Sequence, residues 1–459
     1  MNFWKKFAYS LGSMGAALPE NCFTTWVMYF YVDRLGFPPR LFASAMLIYT
    51  IWNCINDPMF GFWSDRTHTR WGRRIPFIVL GTLPLALAFY LIWVPPAGIS
   101  TTALFWYYLA VVFAFDGFYT LVILNWTALY PEMYTSPRDR STVNALRQVL
   151  GILGVIVGVA LAPILIARFG WRGLGLIIGS ATALVIFLSL LGSKEDQTAP
   201  GTPLSLLPAL KNTLINRSFV TFVIFNLLFQ TVTVLVQGVI PFYTQFALFL
   251  NDTEKTLVLL AVFLMAIASQ LVWTKVVVRI GTRGTAIVGI ITFAVCLIPL
   301  AFARTLAQGM VCFALLGIGL GALLIVTDIM IAEICDEDYL RTHTRREGMY
   351  YGINALVMRS SVAISAGIIA FVQVRSGYVA QLTDAALQPR TAVVGFRLLM
   401  SAIPAVIILT ALVFVLLYPL HGKRLEEVRR ACELEQNLCK RPEVPPPAAP
   451  ASEPGTISS

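Results

Sequence analysis

A chain of 459 residues that is 57% hydrophobic and 13% charged cannot hide its apolar surface in a water-soluble fold, because soluble domains carry about twice that charged fraction. The net charge is +10, but the basic residues gather in short loops between apolar runs, without interleaved aromatics, which excludes nucleic acid as a partner and leaves lipid as the solvent. The seven cysteines (Cys22, Cys54, Cys296, Cys312, Cys335, Cys432, Cys439) form no C-x-x-C pair and only three histidines occur, which excludes a disulfide framework and a zinc site.

About twelve apolar stretches reach the roughly 20 residues that a helix needs to span a bilayer. The first, 9–33, follows Lys5 and Lys6 and has no small-residue cleavage site, so it reads as a retained membrane helix and not a signal peptide. Gly12, Gly15 and Pro19 interrupt it, and Pro19 predicts a kinked or unwound turn at Glu20. The second, 41–63, sets Asn53 and Asp57 four residues apart on one face and ends in the basic loop Asp65 to Arg74, which holds Arg66, Arg70, Arg73 and Arg74. Span three is 75–95. Span four, 102–131, contains Phe115-Asp116-Gly117-Phe118-Tyr119-Thr120. Span five, 142–166, has Gly151, Gly154 and Gly158 on one small-residue face suited to close helix packing, and span six is 173–193.

The break Gly192–Arg217 contains Pro200, Pro203 and Pro208, with Leu204, Leu207, Leu210 and Leu214 spaced as an interfacial stripe. Six further spans follow at 218–249, 255–278, 285–303, 307–335, 348–374 and 392–419. Span eight ends in Arg279-Ile280-Gly281-Thr282-Arg283-Gly284, a basic tight loop at the place that Asp65–Arg74 holds in the first half. Span ten carries Gly317, Gly319 and Gly321, and span eleven carries Arg359. The chain thus divides into an N-terminal half (1–193), a linker (194–217), a C-terminal half (218–420) and a tail (421–459) whose charge and Pro/Ala content predict disorder. The expected fold is all-α and integral to the membrane, with twelve transmembrane helices in two six-helix halves. Two repeated halves with a site between them at mid-membrane are a common design of secondary transporters. Most of the 34 lysines and arginines fall on one side if both termini are cytoplasmic, which sets the expected topology in a cell (inner) membrane.

An ionisable residue at the centre of a span costs at least about 2.5 kcal/mol, so each one should face a cavity or a partner. Five stand out: Glu20, Asp57, Asp116, Asp328 and Arg359. Asp57, with Asn53 and a hydroxyl from Thr120, offers oxygens to a cation or carries a proton; alternatively it pairs with an arginine and holds helices shut. Asp116 between aromatics suits a polar ligand, with rings to stack on a sugar and a carboxylate to accept its hydroxyls. Arg359 has no acid within four positions, so its partner must come from another helix, with Asp57, Asp116 and Glu20 as candidates. Asp328, Glu333 and Asp336 lie near Arg341, Arg345 and Arg346 and read as gate ion pairs. No G-x-x-x-x-G-K-[ST] and no H-E-x-x-H occurs, and no paired nucleophile and base stands near an interface, so the sequence points to no ATP-driven machine and no enzyme.

The stretch Trp52-Asn53-Cys54-Ile55-Asn56-Asp57-Pro58 through Gly61, Ser64-Asp65-Arg66-Thr67 and Trp71-Gly72-Arg73-Arg74-Ile75-Pro76-Phe77 resembles the glycoside–pentoside–hexuronide:cation symporters, the melibiose-permease family of the major facilitator superfamily. Tyr119-Thr120, Pro131-Glu132, Arg138-Asp139-Arg140, and Asp336 with Arg345-Arg346-Glu347-Gly348 extend it. The resemblance implies a major facilitator fold and cation-coupled uptake by alternating access, with no cofactor beyond a coupling H+ or Na+. Cation coupling would fall to Asp57, Asn53 and Thr120; substrate binding to Asp116, Tyr119, Glu20, Arg147 and Arg359; gating ion pairs to Asp65, Arg73, Arg140, Asp336 and Arg346. Three positions depart from the family. Asn53 replaces the first cation carboxylate, which weakens a sodium site and favours the proton, because a hard cation wants anionic oxygens. Ile123 stands where the helix-four sugar carboxylate falls, with Asp116, two turns away, as the candidate substitute. The helix-one carboxylate falls near Ala17, with Glu20 the nearest acid. Arg147 and Arg359 match the family's helix-five arginine and helix-eleven lysine. The expected partners are a small-molecule substrate, a glycoside or related polar solute, and membrane lipid, with the protein a monomer. Relatives on the same scaffold that move lysophospholipids supply the alternative; a non-transporting membrane sensor is a second, though the tail is short for an output domain.

Overall fold

The computed structural model describes residues 3–431 except 68, 70–71, 135, 195–215, 343–346, 383–384 and 429. The linker expected at 194–217, with its leucine stripe, therefore lies almost entirely outside the described residues, as do Arg346, Cys432, Cys439 and the Pro/Ala-rich end of the tail.

The first three helices are α1 (Phe3–Met28), extended by a π turn at Tyr29–Arg34, α2 (Pro39–Arg66) and α3 (Ile75–Ile92). Next come α4 (Thr101–Met133) and α5 (Pro137–Val155), the latter running on through a π turn at Ile156–Ala160. The element Ala162–Leu190 breaks at Gly170 (φ 68°), so its first turns complete α5 and residues 171–190 form α6. The second half opens with α7 (Arg217–Phe242). The element Asp252–Leu297 breaks at Gly281 (φ 75°) into α8 (252–280) and α9 (282–297). The chain closes with α10 (Leu306–Thr342), α11 (Glu347–Arg375) and α12, made of Arg390–Met400 and Ala402–Leu416. Both breaks need a backbone conformation that only glycine adopts freely, so the two sharpest reversals are written in the sequence as single glycines.

Nine helical stretches among the described residues are long and apolar enough to cross a membrane. One of them, Asp252–Ala301, is the pair α8 and α9. Helices α1 and α2, 26 and 28 residues long, fall outside that set because they carry polar side chains that serve the interior: Glu20, Asn21 and Thr24; Asn53, Asn56 and Asp57. The outer faces are those of a lipid-solvated protein: Leu80, Leu83 and Leu87 of α3 are 71%, 63% and 57% exposed, an apolar surface that water would not tolerate.

Helix α1 lies inside the first half against α5 and α6, and α4 packs on α2 and α3. In the second half α10 packs on α8 and α9, and α7 on α11 and α12. The halves meet where α2 lies on α11 and α1 on α7. Small residues allow the close crossings. A Cβ at Gly154 would stand 2.9 Å from the Met14 carbonyl oxygen, one at Gly158 2.6 Å from that of Leu18, and one at Gly319 2.5 Å from Phe293 Cα. Gly317 and Gly321 face backbone atoms of α8 in the same way.

Two local expectations change. Helix α1 does not unwind at Pro19 but stays helical to Met28. The nearby Ala17 carbonyl accepts from Asn21 Nδ2 at 2.9 Å and that of Ala16 from the Tyr119 hydroxyl at 3.4 Å, so groups crowded by the proline find side-chain partners. The irregularity falls instead at the π turn after Met28. The tail does not begin as disorder either: residues 423–428 are helical, Leu425 is buried, and Arg424 pairs with the buried Glu337 of α10.

Candidate functional site

A cavity of about 520 Å³ lies between the halves, walled by α1, α2 and α4 on one side and α7 and α11 on the other. Arg359 of α11 crosses it. One guanidinium nitrogen, Nη2, pairs with Asp57 Oδ2, and the other, Nη1, donates to the Asn53 backbone carbonyl at 2.7 Å. Asp57 Oδ1 accepts from Thr120 Oγ1 at 3.0 Å. Asp57, Asn53, Thr120 and Arg359 are thus one connected unit joining three helices, and of the three acids considered as partner for Arg359 the structure selects Asp57. Arg359 lines the cavity, and the side chains of Arg359 and Asp57 are 23% and 32% exposed.

Asp116 sits one layer away, buried against α2. Its Oδ1 accepts from the Tyr49 hydroxyl at 3.1 Å and Asn53 Nδ2 at 2.6 Å, and its Oδ2 from Asn56 Nδ2. Tyr49, Asn53, Asn56 and Asp57 follow the i, i+4, i+7, i+8 spacing of one helical face. Tyr49 and Asn56 escaped notice because neither is charged, although that spacing was available to find them. Glu20 is exposed to the cavity, and its Oε2 accepts from the Tyr119 hydroxyl at 2.7 Å.

A second cavity of about 360 Å³ shares Glu20 and Asn21 with the first. It is bordered by Ala17, Ile123 and Arg147, so the positions that the resemblance assigns to sugar carboxylates do converge, as apolar residues. The guanidinium of Arg147 lies over the rings of Trp126 and Tyr130, 4.8 and 5.0 Å from their centroids, and Nε reaches Ser13 Oγ at 3.4 Å. Asp116 does not stand in for Ile123. Seven residues return to the same helix face but lie about 10 Å apart along the axis, and Asp116 is among the residues of the first cavity only.

The expected gate residues are less closely drawn together. The Asp65 side chain and Arg346 lie outside the described residues. Arg73 and Asp336 are both engaged by neighbours. Arg140 Nε donates to the Tyr134 carbonyl at 2.6 Å, and among the described residues it meets no carboxylate. Glu333 accepts from Thr282 Oγ1 at 2.7 Å, tying α10 to α9. Asp328 is exposed on α10. A tie that the sequence did not announce closes the end opposite the N-terminus. There the Tyr378 hydroxyl donates to Asp33 Oδ1, Gln381 N to the Asp33 carbonyl at 3.1 Å, and Gln381 Nε2 to the Arg34 carbonyl at 3.3 Å. Around it Tyr29, Phe242, Phe246, Tyr378 and Phe396 pack edge to ring and stacked, with centroids 5.2 to 5.9 Å apart.

The profile of a family described as MFS/sugar transport protein matches residues 8–422. The isoprimeverose transporter of Lactiplantibacillus pentosus is 24% identical over 83% of this chain and 82% of its own length. The sodium-dependent lysophosphatidylcholine symporter 1-A of Danio rerio is 21% identical over 95% of this chain and 89% of its own. Among solved structures, a mutant of the nucleoside transporter NupG superposes with a TM-score of 0.66 at 13% identity, covering 90% of this chain and all of that one; at that identity the likeness concerns the fold.

Proposed function

Because the chain belongs to the MFS/sugar transport protein family, we propose that it is a secondary active symporter that moves a glycoside or related small polar solute by alternating access, with a proton favoured over sodium as the coupling ion. The observation that carries this reading is the cavity between the halves, lined by Arg359, which pairs with Asp57 of the other half. A site whose two walls belong to different halves is made and unmade when one half rocks on the other. Glu20, Tyr119, Asp116 and Gln237 offer hydroxyl-binding groups on its walls, and Phe23 and Phe115 offer ring faces. The positive loops support a cytoplasmic N-terminal side; on that reading the Asp33–Tyr378 tie belongs to the outer gate and the described conformation is the one closed to the outside. Asn53 in place of a carboxylate supports the proton over sodium.

The second reading is a lysophospholipid or other amphiphile as substrate. It is favoured by the relative from Danio rerio and by the apolar stretch of cavity wall formed by Val27, Met28, Met46 and Ile369, which suits an acyl chain as well as a sugar face. A thermal-shift screen of the purified protein against sugars, glycosides and lysophospholipids separates the two. Stabilisation by a glycoside that is lost in Arg359→Ala is expected; stabilisation by lysolipids alone overturns the glycoside reading.

A further inference from the structure

We propose that the coupling proton is carried by Asp116 of α4, in a pocket built by Tyr49, Asn53 and Asn56 of α2, and not by Asp57. The proposal rests on the symporter reading above and names the group that binds its ion. Asp57 is already committed at both oxygens, to Arg359 and to Thr120. Asp116 is 4% exposed and receives three hydrogen bonds, all from neutral donors, and among the described residues no cation stands within ion-pair distance of it. An unneutralised carboxylate in such surroundings calls for a cation.

The pocket itself indicates which cation. Asn56 is fully buried, and its Oδ1 has no hydrogen-bond partner; Asn53 Oδ1 is in the same state. A carboxamide donates at one end and accepts at the other. With Asp116 ionised, both amides turn their NH₂ ends to it and leave their oxygens unsatisfied. When a proton from cavity water bonds to Asp116, the new O–H needs an acceptor, and half a turn of either amide supplies one. The proton leaves to water by the reverse step; a turn of Asn56 changes only its own bond to Asp116, whereas a turn of Asn53 also gives up its bond to the Tyr49 hydroxyl at 3.0 Å. The ionisable groups facing Asp116 are Glu20 from α1, Tyr49 and Asp57 from α2, Tyr119 from its own helix and Arg359 from α11, while α3 offers only Tyr90 in its last turns.

Asn53 connects this event to the motion. Its side chain donates to Asp116 at 2.6 Å, and its backbone carbonyl accepts from Arg359 at 2.7 Å. One residue thus touches both the proposed proton site and the joint between α2 and α11, where the halves meet.

The test needs no known substrate. Proteoliposomes on a sensor surface receive a pH step at constant sodium, without solute, and the transient charge displacement is recorded. The wild type should respond to the pH step and not to a sodium step at constant pH. Asp116→Asn should lose at least tenfold in amplitude, and Glu426→Gln, a change at an exposed carboxylate outside the spans, should keep it. Should Asp116→Asn fail to insert, Asp116→Glu decides: a midpoint pH that moves supports the assignment, and one that stays overturns it. A full response in Asp116→Asn, a wild type that answers to sodium alone, or one that answers to neither step also overturns it. Solute counterflow, which needs no gradient, reads transport separately. If the displacement depends on Asp116 but no solute is ever exchanged, it is the transport reading that fails.

Discussion

Arg359→Ala removes the guanidinium that ties α11 to α2. Two interactions go with it: the pair with Asp57 and the hydrogen bond to the Asn53 carbonyl at 2.7 Å. Breaking a fully buried pair by removing one partner costs about 3–5 kcal/mol, whereas an exposed pair is worth about 0.2–1. With side chains 23% and 32% exposed, this pair lies between those limits, at about 2 kcal/mol, and the backbone hydrogen bond adds about 1. The single variant should therefore lose about 3 kcal/mol of stability in the conformation closed to one side, roughly a hundredfold in population. Asp57→Asn combined with Arg359→Ala leaves no unpaired buried charge, and a double-mutant cycle should return a coupling energy of about 2 kcal/mol. Thermal unfolding of the four purified proteins in one detergent gives the cycle. If Arg359→Ala unfolds with the wild type, or if the double variant is no better than the single, the two residues are independent and the joint has been misread.

Three further outcomes follow from the packing and topology. Gly158→Ala puts a Cβ 2.6 Å from the Leu18 carbonyl and should cost about 1–3 kcal/mol, whereas Gly151→Ala, whose Cβ meets Ser13 Cβ at 3.9 Å, should unfold with the wild type; equal melting of the two would refute the α1–α5 contact. Tyr378→Phe deletes the donor to Asp33, worth about 1.5–3 kcal/mol to a charged acceptor, and should speed alkylation of a Val27→Cys reporter in the cavity from the side opposite the N-terminus by about tenfold; an unchanged rate would show that the aromatic cluster alone holds that end. A C-terminal reporter that works only outside the cell membrane should stay silent, and a strong signal would reverse the proposed topology.

Much of the architecture was legible because lipid imposes a simple code. Among the described residues ten of the helices named above form apolar stretches of spanning length, and α1 and α2 were recognisable in spite of their polar residues because those residues fall inside otherwise apolar runs. The reversal at Gly281 was readable from a glycine in a basic tight loop. Pro19 misled, since a proline removes one hydrogen bond without dictating that the helix part, and α1 stays helical through it. In the site, charge was the visible signal: Asp57, Asp116, Glu20 and Arg359 were found as ionisable residues in spans. Which acid meets Arg359 depends on how α11 lies against α2, a long-range packing fact that no local pattern carries. The neutral donors Tyr49 and Asn56, and the tie between Asp33 and Tyr378 across 345 positions, were hidden for the same reason.

The most direct test of the central claim is accumulation in proteoliposomes. The purified protein is given a panel of labelled disaccharides and glycosides under an imposed inward proton gradient, an inward sodium gradient, or none. The account predicts that at least one solute is concentrated above its external level by the proton gradient, that a protonophore collapses the accumulation, and that sodium changes it little. Uptake that only equilibrates under every condition, or that follows sodium with no response to the proton gradient, would contradict it.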